Sequence, residues 1–212
     1  MKFATKAIHS GQAPDKATGA IVVPIYQTST YKQDEVNVHK GFEYSRTGNP
    51  TRQALEECLA ALENGRFALA FSSGLAAEHA VLSTLKRGDH VIAAEDMYGG
   101  TYRLFEEVFK PYGIQFSYVR GNTIDFEKAI NPGTKLFWIE SPTNPLLRII
   151  DISKVSAIAH KKKIKVVVDN TFASPFFQQP LLLGADLVVH STTKYIGGHS
   201  DLIGGALIVN DA

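Results

Sequence analysis

Residues 135–170 read KLFWIESPTNPLLRIIDISKVSAIAHKKKIKVVVDN, and they decide the fold. Lys135 to Glu140 is a short apolar and aromatic run, and Ile164 to Asp169 is another, built on three consecutive valines. Between them, Ile152 to His160 sets its apolar residues at helical spacing. Strands that are apolar on both faces, joined through a helix, belong in a parallel sheet covered on both sides.

The same alternation extends in both directions. Asn49 and Pro50 start a helix that carries Leu55, Leu59 and Leu62 at helical spacing. Phe67 to Phe71 reads as a strand, Leu75 to Leu85 as a helix, and His90 to Ala94 as a strand. Tyr102 to Phe109 reads as a helix, Ile114 to Val119 as a strand, and Phe126 to Ile130 as a helix. Leu187 to His190 and Ile203 to Val209 complete the strands. This is an α/β chain with a mostly parallel sheet between helices. Residues 1–49 are rich in turn residues and poor in periodicity, so they form an arm that leans on the main domain or on a second subunit. Residues 50–212 form the domain proper.

The 212 residues carry 22 Lys and Arg against 21 Asp and Glu, a balance that argues for neither a nucleic-acid nor a membrane partner. Cys58 is the one cysteine; it lies in helix-like sequence and is expected in the core, with no disulfide framework and no metal motif. MKFATKAIHSG lacks the apolar run of a signal peptide, and no stretch approaches transmembrane length. A cytoplasmic setting and a small-molecule ligand are expected.

In parallel sheets, ligands collect at the carboxyl ends of the strands. Five such ends are chemically suggestive. Phe71-Ser72-Ser73-Gly74-Leu75 turns through small residues into a helix whose first amides suit a phosphate. It is neither a Walker loop nor a dinucleotide fingerprint, which argues against a nucleotide-binding domain. Tyr98, in EDMYGGT, offers an aromatic face for a flat ligand. Glu140 and Asn144 sit in a loop stiffened by Pro142 and Pro145. Asp169, directly after a buried strand, needs a positive partner such as a protonated ring nitrogen. Lys194, in DLVVHSTTKYIGG (186–198), follows a buried strand, where lost hydration would lower its pKa and free an amine for imine chemistry. Each feature is common alone. Together they are the parts that pyridoxal 5′-phosphate requires.

Longer motifs point the same way: PIYQTST, FEYSRTGNPTR, AFSSGLAA, DMYGGTYRLF, ESPTNPLLRIID, VVVDNTFASPFFQQPLLLGAD and HSTTKYIGGHSD. Over nearly the whole chain the sequence resembles the Cys/Met-metabolism group of fold-type-I pyridoxal-phosphate enzymes, with an aspartate-aminotransferase-like large domain. That group includes cystathionine γ-synthase, cystathionine γ-lyase, methionine γ-lyase and O-acetylhomoserine sulfhydrylase. The resemblance implies that Lys194 holds the cofactor through an imine and shuttles protons, while Asp169 pairs with the pyridinium nitrogen. Tyr98 would stack on the ring and serve as an acid or base. Ser73, Gly74, Leu75, Ser191 and Thr193 would bind the phosphate, Asn144 would approach the phenolic oxygen, and Glu140 would support its loop. Tyr44 and Arg46 would reach the phosphate of a neighbouring subunit in a homodimer or homotetramer.

The expected activity is γ-elimination or γ-replacement on a sulfur amino acid, of the cystathionine γ-lyase or γ-synthase type. O-acetylhomoserine sulfhydrylase and methionine γ-lyase are the alternatives. Gly100 stands where methionine γ-lyases carry a cysteine, which weighs against methionine as the preferred substrate. Family chains continue beyond the point matching Ala212 into a small C-terminal domain that grips the substrate carboxylate; the chain as given lacks it. A catalytically incomplete cofactor-binding module is therefore a further alternative.

Overall fold

The computed structural model describes residues 1–210. Among these residues, a seven-stranded sheet forms the body. After a short helix α1 (Phe3–His9) and a hairpin of β1 (Gln33–Glu35) and β2 (Val38–His39), the chain enters α2 (Pro50–Leu62). It continues through β3 (Phe67–Phe71), α3 (Gly74–Leu82), β4 (His90–Ala94), α4 (Gly99–Arg103), β5 (Gln115–Val119), α5 (Thr123–Ala129) and β6 (Thr134–Glu140). Then come α6 (Ile152–Lys161), β7 (Lys165–Asp169), a turn of helix α7 (Ser174–Phe177), β8 (Leu187–His190) and β9 (Gly205–Val209).

The strands lie in the order β3-β9-β8-β7-β6-β4-β5. β4 to β8 run parallel, and β9 is antiparallel to both neighbours, so β3 points the same way as β8. The order reverses between β4 and β6, and ligands of such sheets bind outside that reversal. One face carries Val91, Leu136, Trp138, Val167 and Val189 against Val81, Leu82 and Phe105. The other carries Ile92, Phe137, Ile139, Val166 and Val168 against Phe126, Val155 and Ala159 of α5 and α6. α2 covers the β3-β9-β8 side through Leu59, Ala60, Val188 and Ile208.

The start of α2 acts as read, and α6 adds a cap not expected from sequence. Asn49 Oδ1 caps α2 by accepting from Thr51 N (2.9 Å) and Arg52 N (3.3 Å), and Asp151 Oδ1 caps α6 by accepting from Lys154 N (3.0 Å). Several expectations need correction: α5 begins at Thr123 rather than Phe126, behind the Asn122 cap, and β9 begins at Gly205 rather than Ile203. α3 ends at Leu82, where Ser83 and Thr84 bond back to the last carbonyls, rather than at Leu85. The helix expected from Tyr102 begins at Gly99 and passes into a π-helical stretch, Leu104–Phe109, that turns Phe105 and Phe109 inward. Leu55 is exposed, because α2 turns Leu59 and Ala60 toward the sheet. Cys58 is only half-buried, although burial still pushes its thiol pKa up.

The arm is less structureless than its sequence suggests, but α1 and both hairpin strands contain no buried residue. It is fastened to α2 at a few points: Lys6 Nζ donates to Asn64 Oδ1 at 2.6 Å, Tyr26 N to Thr51 Oγ1 at 2.9 Å, and Asn49 Nδ2 to Tyr26 O at 3.0 Å. No helix among the described residues is long and apolar enough to cross a membrane.

Candidate active site

The parallel strands release their chains on one side of the sheet, and a cavity of about 380 Å³ opens there. Ten of the residues singled out from sequence line it: Ser73, Gly74, Leu75, Tyr98, Glu140, Asn144, Asp169, Ser191, Thr193 and Lys194. Tyr44 and Arg46 do not. They lie in the arm and pair with each other, Arg46 Nη2 donating to Tyr44 Oη at 2.5 Å with the guanidinium 4.9 Å above the ring.

The β3–α3 turn presses against the exit of β8. A Cβ on Gly74 would lie 2.8 Å from Ser191 Cβ and 3.0 Å from Ser191 Cα, so glycine alone lets the two backbones meet. Ser73 caps α3, its Oγ accepting from Ala76 N at 3.1 Å, which leaves the Gly74 and Leu75 N–H groups at the helix start without an intrahelical acceptor. Thr193 lines the wall, but its hydroxyl is already bonded on both sides to Gly204, at 3.2 and 3.1 Å.

Glu140 and Asp169 occupy one register row of β6 and β7 and face the cavity together. Thr171 orders the next step: its N–H donates to Asp169 Oδ1 at 2.9 Å, and its Oγ1 accepts from Ser191 N at 2.9 Å. Glu140 Oε2 accepts from Tyr98 N at 2.7 Å, which fixes the tyrosine's backbone across the β4/β6 reversal. A Cβ on Gly100 would come within 2.3 Å of Tyr98 Cε1, so the ring lies folded over that glycine.

Sequence reasoning missed Glu78. It shares the interior face of α3 with Gly74, Ala77, Val81 and Leu82, lines the cavity, and accepts from Thr101 Oγ1 at 3.1 Å, while its Oε2 has no hydrogen-bond partner. A carboxylate on an apolar helical face was the available signal. Burial and then the charge of Asp169 push its pKa well up. The same causes push Glu140 to about 8. Asp169 is also raised by burial, opposed by its Thr171 hydrogen bonds and by His190.

Lys194 departs from expectation. It is exposed, not stripped of water, because the Ser191–Lys194 turn, closed by Lys194 N to Ser191 O at 3.2 Å, carries it clear of the sheet. It stands between the cavity and a wider basin of about 900 Å³ that Phe172, Tyr195, Leu202 and Ile203 also line.

The wall therefore combines buried carboxyls short of positive charge, free helix-start amides, a tyrosine ring and a lysine at the mouth. A ligand with a cationic ring nitrogen, an anionic end and a carbonyl carbon matches that set. The model of the Cys/Met metabolism PLP-dependent enzyme family matches residues 4–212. The chain belongs to that family. Its cofactor is pyridoxal 5′-phosphate, and the wall fits it.

Similar proteins agree with this PLP-dependent family. A probable cystathionine gamma-synthase of Herpetosiphon aurantiacus is 54% identical over 210 residues, covering 99% of this chain and 66% of its own length. A cystathionine beta-lyase of Lactococcus lactis is 54% identical over 207 residues, covering 97% of this chain and 54% of its own. The crystal structure of MetB from Corynebacterium glutamicum superposes with a TM-score of 0.97 at 49% identity, covering all of this chain and 56% of that one. The chain thus spans about half to two-thirds of the length of the proteins it matches.

Proposed function

We propose that this chain carries the cofactor site of a carbon–sulfur lyase or transferase of the cystathionine γ-synthase or γ-lyase type. The observation that carries the reading is the convergence of Lys194, Asp169, Tyr98 and the α3 start on one cavity. The names of relatives at 52–57% identity, which cover gamma-synthase, beta-lyase and gamma-lyase, support the substrate class.

Pyridoxal phosphate, when bound, supplies the electron sink that makes the substrate Cα–H acidic. Asp169 would hold the positive ring nitrogen, offsetting the cost of its own burial. The Gly74 and Leu75 amides and the Ser191 hydroxyl would hold the phosphate, the α3 dipole adding to the attraction. The Tyr98 ring would cover the cofactor ring, and its hydroxyl would serve the departing group. Lys194 Nζ would hold the cofactor at its carbonyl end and would move protons at substrate Cα and Cβ. The basin beside Lys194 is the side from which substrate enters.

Tyr44 and Arg46 are read as reaching the phosphate of a neighbouring subunit in a homodimer or homotetramer. A guanidinium fork recognises phosphate through paired charge-assisted bonds. A cytoplasmic location completes the reading, in keeping with the lone cysteine.

Purified protein mixed with pyridoxal phosphate is expected to show a visible absorbance band that Lys194→Ala abolishes; a band that survives in the variant would overturn the site. Supplying cystathionine alone, or an activated homoserine with cysteine, and identifying the product separates lyase from synthase. Pyruvate with homocysteine would instead mark a β-lyase.

A further inference from the structure

Behind the cavity, on the reverse face of the sheet, lies a buried polar cluster for which the chemistry above has no use. Side chains alternate along a strand, so while Asp169 faces the cavity, Asn170 turns to the back, and His190 shares the side of Val188. Glu63, just past the end of α2, meets both. Its Oε1 accepts from Asn170 Nδ2 at 2.7 Å and lies 2.5 Å from His190 Nε2. Glu63 and Asn170 are 0% exposed and His190 is 1% exposed.

The cluster reaches a third strand exit. Gln178 Nε2 donates to Asn170 Oδ1 at 2.9 Å and to Ser141 O at 2.8 Å, while the Gln178 carbonyl accepts from Asn170 Nδ2 at 2.8 Å. Gln179 Nε2 donates to Leu62 O at 2.8 Å, returning to α2. One connected set of bonds thus joins α2 to the ends of β6, β7 and β8. Those ends carry Glu140, Asp169 and the Ser191–Lys194 turn.

A carboxyl with no access to water is costly unless a donor meets it, and the carboxylate can only accept. Asn170 Nδ2 and His190 Nε2 are the two groups that meet Oε1. Glu63 Oε2 and His190 Nδ1 have no hydrogen-bond partner, so the bonds that Oε1 makes with His190 and Asn170 are what compensate the burial. A hydrophobic residue would fill the same space without that penalty, so burial alone gives no reason for the cluster.

We propose that Glu63 and His190 are a positioning pair for the cofactor site: one carboxylate, bonded to the residues next to Asp169 and Ser191, fixes the separation of the two strand exits between which the cofactor is held. The proposal rests on the reading of the cavity as a pyridoxal-phosphate site. The groups it places are Asp169, which must meet the ring nitrogen, and Ser191 to Lys194, which must meet the phosphate and the carbonyl. An error of an ångström between these points costs binding and alignment together.

The test uses the complete gene product. Cofactor dissociation constants and the visible circular dichroism of bound pyridoxal phosphate, which reports ring orientation, are measured for wild type, Glu63→Ala and Glu63→Gln. Glu63→Ala is expected to weaken cofactor binding about tenfold or more and to diminish the induced dichroism. Glu63→Gln keeps an acceptor for Asn170 and His190 and should restore most of both. A folded Glu63→Ala protein with wild-type affinity and dichroism overturns the proposal.

If Glu63→Ala does not accumulate as folded protein, two milder variants decide. Glu63→Asp is one methylene short of its partners and should lose cofactor affinity; His190→Gln keeps a donor toward Oε1 and should retain it. Unchanged or equal affinities in both overturn the proposal. A wild-type protein that forms no Lys194-dependent band fails the reading of the cavity itself, which is a separate result.

Discussion

At the scale of single residues, the cavity is defined by carboxyls that burial makes reluctant to ionise. Glu140 is the clearest: burial and the neighbouring Asp169 raise it from an ordinary 4.5 to about 8. Between those values the folded protein holds a proton that the unfolded chain has released, so stability is fully present below the lower value and falls as pH rises toward the upper one. Glu78 and Asp169 are shifted in the same direction. Cofactor-free protein is therefore expected to melt at lower temperature at pH 8 than at pH 6, with a shallower slope in Glu140→Gln. Melting curves across that range check this, and an unaltered slope in the variant would refute it. Gly100 supports a second expectation. The Cβ of Gly100→Ala would meet Tyr98 Cε1 at 2.3 Å, and Tyr98 is 44% exposed, so the ring swings rather than the backbone. Urea unfolding should change by less than about 1 kcal/mol, while turnover falls about tenfold or more if the ring covers the cofactor as proposed. Unimpaired turnover would show that Tyr98 needs no such support. The residues themselves were unequally legible. Asp169 and Tyr98 announce themselves by following apolar strands, whereas Glu78 is hidden within a helix, and the exposure of Lys194 depends on a turn geometry that sequence does not carry.

At the scale of elements, what could be read were the runs whose burial is uniform. β6 and β7 each carry an unbroken apolar run, Leu136 to Ile139 and Val166 to Val168, and lie within one residue of where their sequences place them. Elements whose limits depend on glycines or on late packing were misjudged: α4 starts three residues early because Gly99 and Gly100 join the helix, and α3 stops three residues short of Leu85. The β3–α3 turn is the element with the least latitude. Gly74 meets Ser191 on one side, and a Cβ on Gly205 of β9 would lie 2.0 Å from Ser73 O on the other. Gly74→Ala cannot be relieved by a flexible side chain, because Ser191 Cα belongs to the backbone of the next exit. It should destabilise the fold by about 1–3 kcal/mol and, by separating the helix start from β8, weaken cofactor binding. Denaturant titration together with cofactor titration measures both. A loss of stability with unchanged affinity would mean that the α3 amides do not hold the phosphate.

At the scale of the molecule, the arm is the part whose role a single chain leaves open. Its helix and hairpin contain no fully buried residue, and Ile21, Val22 and Ile25 stay 74–78% exposed. Such an arm gains little from its own chain, and the Tyr44–Arg46 pair lies apart from the cavity that its chemistry suits. If the pair serves a neighbouring subunit, two different inactive proteins can repair each other. Arg46→Ala removes the arm's contribution and leaves Lys194; Lys194→Ala does the reverse. In a mixed dimer, one site has Lys194 from one subunit and Arg46 from the other, and the second site has neither. With random reassociation half the dimers are mixed and half their sites are whole, so about a quarter of wild-type activity should return. Co-refolding the two variants and assaying against each alone makes the measurement. If Arg46 instead acts within its own chain, every site retains one defect, and mixing restores nothing.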